Sequence, residues 1–141
     1  MRALTLWQPW GTALVYGPKD VENRPWRPGP GKGNVKLIRP MRLAIHAGKK
    51  FDADSEPGIR ELWPEMPTEH AQGAILGVVE FTAFMRGWPR SRWAFGPWCW
   101  LRGRTWPLSS PIPNVKGALG LWKLPLPVVD QLQVLLLEAE E

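Results

Sequence analysis

The chain has 141 residues and a mass of 16.0 kDa, enough for one domain over residues 1–141 and for a core that needs no disulfide or metal support. With 44% hydrophobic and 22% charged residues it has globular composition, which excludes disorder for most of its length. One cysteine, Cys99, excludes an internal disulfide and a Cys-rich zinc site, and two histidines, His46 and His70, leave little for a His-based one. No metal and no cofactor are therefore expected. No apolar run approaches the ~20 residues of a membrane span, and the N-terminus lacks the long apolar core of a signal peptide, so the expectation is a soluble, cytoplasmic protein.

Ten Trp stand against one Tyr, and 16 Pro with 14 Gly imply short elements joined by many turns rather than a helical bundle. The formal charge is +5 and it is unevenly placed. Residues 1–50 hold ten Lys/Arg against Asp20 and Glu22, and residues 86–104 hold five Arg and no acid. Residues 52–69 carry six acids and one Arg. Such strips suggest a basic and an acidic face, and a basic face is what a polyanion requires; a well-charged surface without a partner is the alternative.

In chain order, Ala3–Trp7 reads as a short strand, and Pro9 and Gly17 bracket a two-turn helix through Trp10, Ala13 and Leu14. Asp20–Arg24 is extended, because Arg24 precedes Pro25. Residues 25–40 read as a long surface loop whose Lys32, Lys36 and Arg39 would reach phosphates or water. Arg42–Ala47 alternates, with Leu43, Ile45 and Ala47 on one face and Arg42, Ala44 and His46 on the other. Ser55 caps a short helix through Ile59 and Leu62 that Pro64 stops. Ala74–Ala83 is the clearest strand, and Trp98–Leu101, Thr105–Leu108 and Ala118–Leu124 are further short ones. Residues 128–138 form an amphipathic helix, whose three closing acids lie at its negative end and should fray. The sum is mainly β with short α-helices, an α+β pattern that a small, partly open β-barrel buries.

The chemistry concentrates in Gly17-Pro18-Lys19-Asp20-Val21-Glu22-Asn23-Arg24. In an extended segment Glu22 and Arg24 point the same way, with Lys19 at the turn beside them. Lys and Arg then bind a phosphate or carboxylate while Glu orients the arginine, or a desolvated Lys works as base or nucleophile with Glu as proton carrier. A surface salt-bridge cluster is the plainer alternative.

The runs LTLWQPWGTALVYGPKDVENRPW, LAIHAGK, GAILGVVEF and KGALGLWKL resemble the ASCH domain (activating signal cointegrator homology), over about residues 4–124. The ASCH pattern G-x-K-x-x-E-x-R is filled by Gly17, Lys19, Glu22 and Arg24 without a gap. ASCH domains are similar to PUA domains, so the resemblance implies a PUA-like pseudo-barrel with a helix beside a cleft, these residues lining the cleft, and RNA or a nucleotide as partner. One enzymatic branch deacetylates acetylated cytidine with a Lys, a Thr and a Glu. Lys19 matches that lysine, but Glu22 stands at the threonine position, and nothing places Thr12 or Thr105 in the cleft. Glu80, on a strand face with Leu76 and Val78, is a candidate second carboxylate. A metal-independent ribonuclease is a further alternative in the same cleft, and a protein-interaction module using exposed tryptophans is the rival from another class.

Other candidates stand beside this motif. His46 is read as a proton-transfer or phosphate contact or as a structural hydrogen-bonding residue, and His70 as solvated. Cys99, between Trp98 and Trp100, reads as a small buried hydrophobe. Trp7, Trp10 and Trp122 read as core. Trp26 is a candidate cleft wall on which a base stacks. Trp88 and Trp93, among Arg86, Arg90 and Arg92, stack either on bases or on those arginines.

Overall fold

The computed structural model describes residues 1–140. Its elements in order are β1 (Arg2–Gln8), α1 (Trp10–Val15), β2 (Val21–Arg24), β3 (Val35–Phe51), α2 (Glu56–Leu62), β4 (Ala74–Met85), β5 (Trp98–Ile112), β6 (Leu121–Lys123) and α3 (Leu126–Glu140). The six strands form one sheet in the order β2-β5-β4-β3-β1-β6. Only β1–β3 is parallel; the other pairs are antiparallel. The protein is thus mainly β with three short helices, as its punctuation predicts.

The sheet does not close through its ladder, since β2 and β6 are both edges. It curls far enough, however, for Arg24 on edge strand β2 to donate from Nη2 to the Thr5 carbonyl of β1 at 3.0 Å. A single side chain spans the seam where no ladder runs. α1 packs against β1, β3, β4 and β5 and fills the curl beside that seam.

Period-two patterning explains the layers. Leu4 and Leu6 on β1, Leu43 and Ile45 on β3, and Phe81 and Phe84 on β4 build the inner core around Trp100. The opposite face carries Ala3, Ala44, Ile75 and Val78, which α3 covers with Leu132 and its neighbours Val128, Val129, Leu135 and Leu136. A third cluster joins Ala13, Val21, Ile59, Met66, Trp93 and Cys99 and docks α2 behind β2.

Several boundaries differ from expectation. The segment read as loop to residue 40 ends at Asn34, because β3 begins at Val35; a register shift between Lys36 and Met41 leaves Ile38 fully exposed, and this irregularity hid the strand. Trp98–Leu101 and Thr105–Leu108 are parts of one strand, β5, bent by register irregularities against β4. The closing strand is only Leu121–Lys123, and the residues ahead of it are loop. Pro9 is the N-cap of α1 rather than its first helical residue. α3 starts two residues before the expected position 128 and remains helical through Glu140, so Glu138 and Glu140, two of the acids expected to fray, are helical; Glu141 lies outside the described residues.

Gly77 marks a close approach of β4 to β5 within the sheet and to α1 above it. A Cβ there would overlap the Trp106 carbonyl oxygen and lie 3.0 Å from both Pro107 Cα and Val15 Cγ1. Gly77→Ala is expected to lose about 2 kcal/mol or more, read as a lower urea midpoint at unchanged slope. Gly58, inside α2, has open space around it, so Gly58→Ala should gain up to about 1 kcal/mol.

Candidate functional site

The motif residues meet because α1 ends abruptly ahead of them. Gly17 and Lys19 both donate their backbone N–H to the Ala13 carbonyl, and Arg102 Nη1 donates to the Leu14 and Gly17 carbonyls at 2.9 Å, covering the open helix end. Burial lowers the Arg102 pKa, with the nearby Asp20 carboxylate opposing. A side chain at position 17 would overlap the Trp63 ring, which accounts for the glycine. The chain then turns and Lys19 points inward, 1% exposed.

Glu22 holds two cations at once. Its Oε1 accepts from Lys19 Nζ at 2.7 Å, and its Oε2 accepts from Arg24 Nε at 2.9 Å. Lys19 Nζ also donates to the Val21 carbonyl at 2.6 Å and lies 5.7 Å from the centre of the Trp10 ring. The spacing placed Glu22 and Arg24 on one side of β2 with Lys19 beside them, and the structure brings all three together. Lys19 is nevertheless committed and buried, whereas Arg24 is the cation that faces outward. With Nε on Glu22 and Nη2 on Thr5, its Nη1 has no partner among the described residues.

Two small recesses flank this network and share Trp10. One, of about 280 Å³, has Lys19 and Glu22 at its back and Trp10, Asn23 and Phe95 around it. The other, of about 340 Å³, lies between Arg24, Trp7, Trp10 and Asp52. Asn23 fixes the first: its Oδ1 accepts from the Phe95 and Gly96 N–H groups at 2.8 and 2.9 Å, and its Nδ2 donates to the Trp93 carbonyl at 2.9 Å. Phe95 is thereby presented 62% exposed, edge-on to Trp10 at 6.1 Å. Asp52 Oδ2 accepts from the Trp10 indole N–H at 2.9 Å, and that bond, followed by those from Ser55, holds its carboxyl below the usual carboxylate range against the opposing effect of burial.

His46 is buried and structural. Its Nε2 donates to the Val115 carbonyl at 2.6 Å, so in the neutral ring Nδ1 accepts from the Thr5 hydroxyl, 3.1 Å away. Thr5 Oγ1 in turn accepts from Trp122 Nε1 at 3.0 Å. Every polar hydrogen in this chain has an acceptor. Desolvation lowers the His46 pKa, with the Val115 bond opposing it.

Apart from Trp7 and Trp10, the remaining candidates line neither recess. Glu80 sits on β4 and pairs with Arg42 at 3.6 Å. Trp26 packs edge-on to Trp100 at 5.1 Å and lines neither recess. Trp93 is 5% exposed and cannot stack on a base, while Trp88 has the Arg90 guanidinium 5.3 Å from its ring centre. Two arginines of that segment thus stack within the protein, Arg90 on Trp88 and Arg86 on Trp98. His70 is half-buried rather than solvated, donating from Nδ1 to Thr12 Oγ1 at 3.1 Å while its Nε2 is buried without a partner. Burial lowers its pKa as well. The Thr12 hydroxyl is used twice over, by His70 and by Gln8 Oε1. Thr105 lies on β5 and lines neither recess. Cys99 is fully buried, as read. Trp7, read as core, is 50% exposed with Lys50 Nζ 5.1 Å from its ring centre, and Trp10 and Trp122 are half-buried. Phe95, Asn23 and Asp52 are site residues that sequence reasoning missed. The basic loop, with exposed Lys32, lines neither recess.

No model of a known protein family matches the chain, and no curated protein matches it.

Removing Glu22 leaves a buried ammonium beside a carbonyl and half-frees Arg24. Glu22→Ala is expected to cost about 3–5 kcal/mol, whereas the apolar pair Lys19→Met/Glu22→Leu should recover much of that loss, both read by urea unfolding. Acid should also destabilise the fold. Burial keeps both histidines neutral, so below about pH 6.5 the unfolded chain binds more protons than the folded one. Their contribution is complete above that pH and is lost as pH falls toward the lowered folded values. The drop in stability between pH 7.5 and 5 should shrink in His46→Gln; stability that rises with acid would contradict the assignment.

Proposed function

We propose that this chain is an ASCH-like, PUA-related protein of the cytoplasm that binds RNA or a nucleotide in the cleft built on Lys19, Glu22 and Arg24. One observation carries the reading: Arg24 is fixed at two nitrogens, by Glu22 and by the Thr5 carbonyl, keeps Nη1 without a partner among the described residues, and lines a recess flanked by aromatic rings. A guanidinium held this way is preorganised for a phosphate oxygen, because its rotamer entropy is already spent. Phe95 offers an exposed π-face for a base, with Trp10 as the adjoining wall. Lys19 acts through Glu22 as a positioning residue rather than as a direct phosphate contact.

A hydrolase in the same cleft is the second reading, favoured by the Lys19–Glu22 contact at the back of the smaller recess. It lacks a free hydroxyl nucleophile, since Thr12 is fully committed, and would have to use water. It predicts turnover of RNA or of an acylated nucleoside that Glu22→Gln abolishes.

The binding reading is tested by fluorescence anisotropy of a labelled single-stranded RNA across a salt series. Arg24→Ala should lower the slope of log K against log salt by about 0.7, as expected for one lost phosphate contact. Phe95→Ala should weaken binding by about 1–3 kcal/mol, roughly 5- to 150-fold. Undetectable binding at low salt, or affinity unchanged in both variants, would contradict the proposal. Affinity that ignores salt would point instead to a protein partner.

A further inference from the structure

Beyond Thr5 the groove opens into a larger recess of about 880 Å³. It meets the Arg24 recess at Thr5, Ala118 and Leu119, which line both. The Arg24 recess lies near the bottom of the ~300–1,000 Å³ range of small-ligand sites, whereas this one lies near the top. Together they run past the space that a single nucleotide fills.

The chemistry of the larger recess is distinctive. Its lining includes Lys49 and Lys116 and no acidic residue. Neither lysine is in a salt bridge among the described residues. The loop that forms one wall brings further donors: the backbone N–H groups of Lys116, Gly117, Ala118 and Leu119 donate to no group among the described residues. That loop is not loose at its base. The Val115 N–H donates to the Gly73 carbonyl at 2.9 Å, and the Val115 carbonyl accepts from buried His46. Gly117 lies directly against the Thr5 and His46 side chains. A wall anchored at Val115 and Gly117 therefore combines N–H groups that have no protein acceptor with two lysines outside any salt bridge, the composition that an anionic group with several acceptor oxygens satisfies. Leu119, 98% exposed between the two recesses, supplies an apolar contact at their junction.

We infer that the Lys49–Lys116 recess is a second phosphate subsite, so that the cleft takes a single-stranded RNA of at least two or three nucleotides rather than a lone nucleotide. This rests on the proposed nucleotide site at Arg24 and extends it in one direction along the groove. The strand passes over Thr5, with one phosphate at Arg24 and a neighbouring one between Lys49 and Lys116.

Calorimetry with an equimolar mixture of the four 5′-mononucleotides and with 5′-phosphorylated randomised RNAs of two, three and four nucleotides tests the inference. In the wild type, affinity should rise with length up to three nucleotides. Lys49→Ala/Lys116→Ala replaces two exposed side chains, so the fold should persist, with mononucleotide affinity as the internal control. That variant should keep mononucleotide affinity, lose the gain with length, and lower the salt slope for the tetranucleotide by about 0.7, one phosphate's worth. A wild type that binds mononucleotide without gaining with length overturns the subsite alone, as does a double variant that keeps the full gain. A wild type that binds none of the four lengths overturns the Arg24 reading, and the subsite with it.

Discussion

The carboxylate of Glu22 is the point on which the cleft depends. It is 6% exposed, and each of its oxygens accepts from a different cation, Lys19 on one side and Arg24 on the other. A buried carboxylate with one partner would be costly; with two it is compensated, and the pair of cations leaves the cluster with a net positive charge. That surplus is delivered outward through Arg24, the only one of the three that reaches across to β1. The network therefore does two jobs: it joins the two sides of an open, curled sheet, and it aims a guanidinium into the groove between them.

The surrounding fold serves that arrangement. Arg102 covers the carbonyl end of α1 so that the chain can turn into the cleft at Lys19. Asn23, between Glu22 and Arg24 on β2, faces the other way and clamps the Phe95 loop with three hydrogen bonds. One four-residue strand thus alternates between a charged inner face and an amide that positions an aromatic wall. On the far side of the seam, the Thr5 carbonyl receives Arg24 while the Thr5 hydroxyl joins His46 and Trp122, so the same residue borders both recesses.

The mainly β architecture was legible because its strands carry period-two apolar patterns: Leu43, Ile45 and Ala47 do form the inner face, and the opposite residues Ala44 and His46 are buried too, beneath α3 and the 113–119 loop. The convergence of Lys19, Glu22 and Arg24 was legible for the same reason, since i and i+2 on a strand share a side. Aromatic roles were not legible. A tryptophan beside arginines in sequence reads the same whether its face is open or stacked within the protein, and Trp88 and Trp93 proved to be occupied or buried. Phe95 carried no periodicity, and its exposure is created by Asn23, 72 residues away in sequence. The Lys49–Lys116 recess was hidden likewise, because its two lysines are brought together only by the end of β3 and the 113–119 loop.

The central claim is that Glu22 holds Arg24 in the orientation in which it meets an anionic ligand. The most direct measurement follows the Arg24 Nε–H resonance by NMR in the wild type and in Glu22→Gln, with and without single-stranded RNA. The account predicts a slowly exchanging, hydrogen-bonded Nε–H in the free wild type that persists and shifts when RNA is added, and a fast-exchanging, broadened one in the variant. An Arg24 resonance that exchanges equally fast in both proteins, or that saturating RNA leaves unmoved, would contradict it.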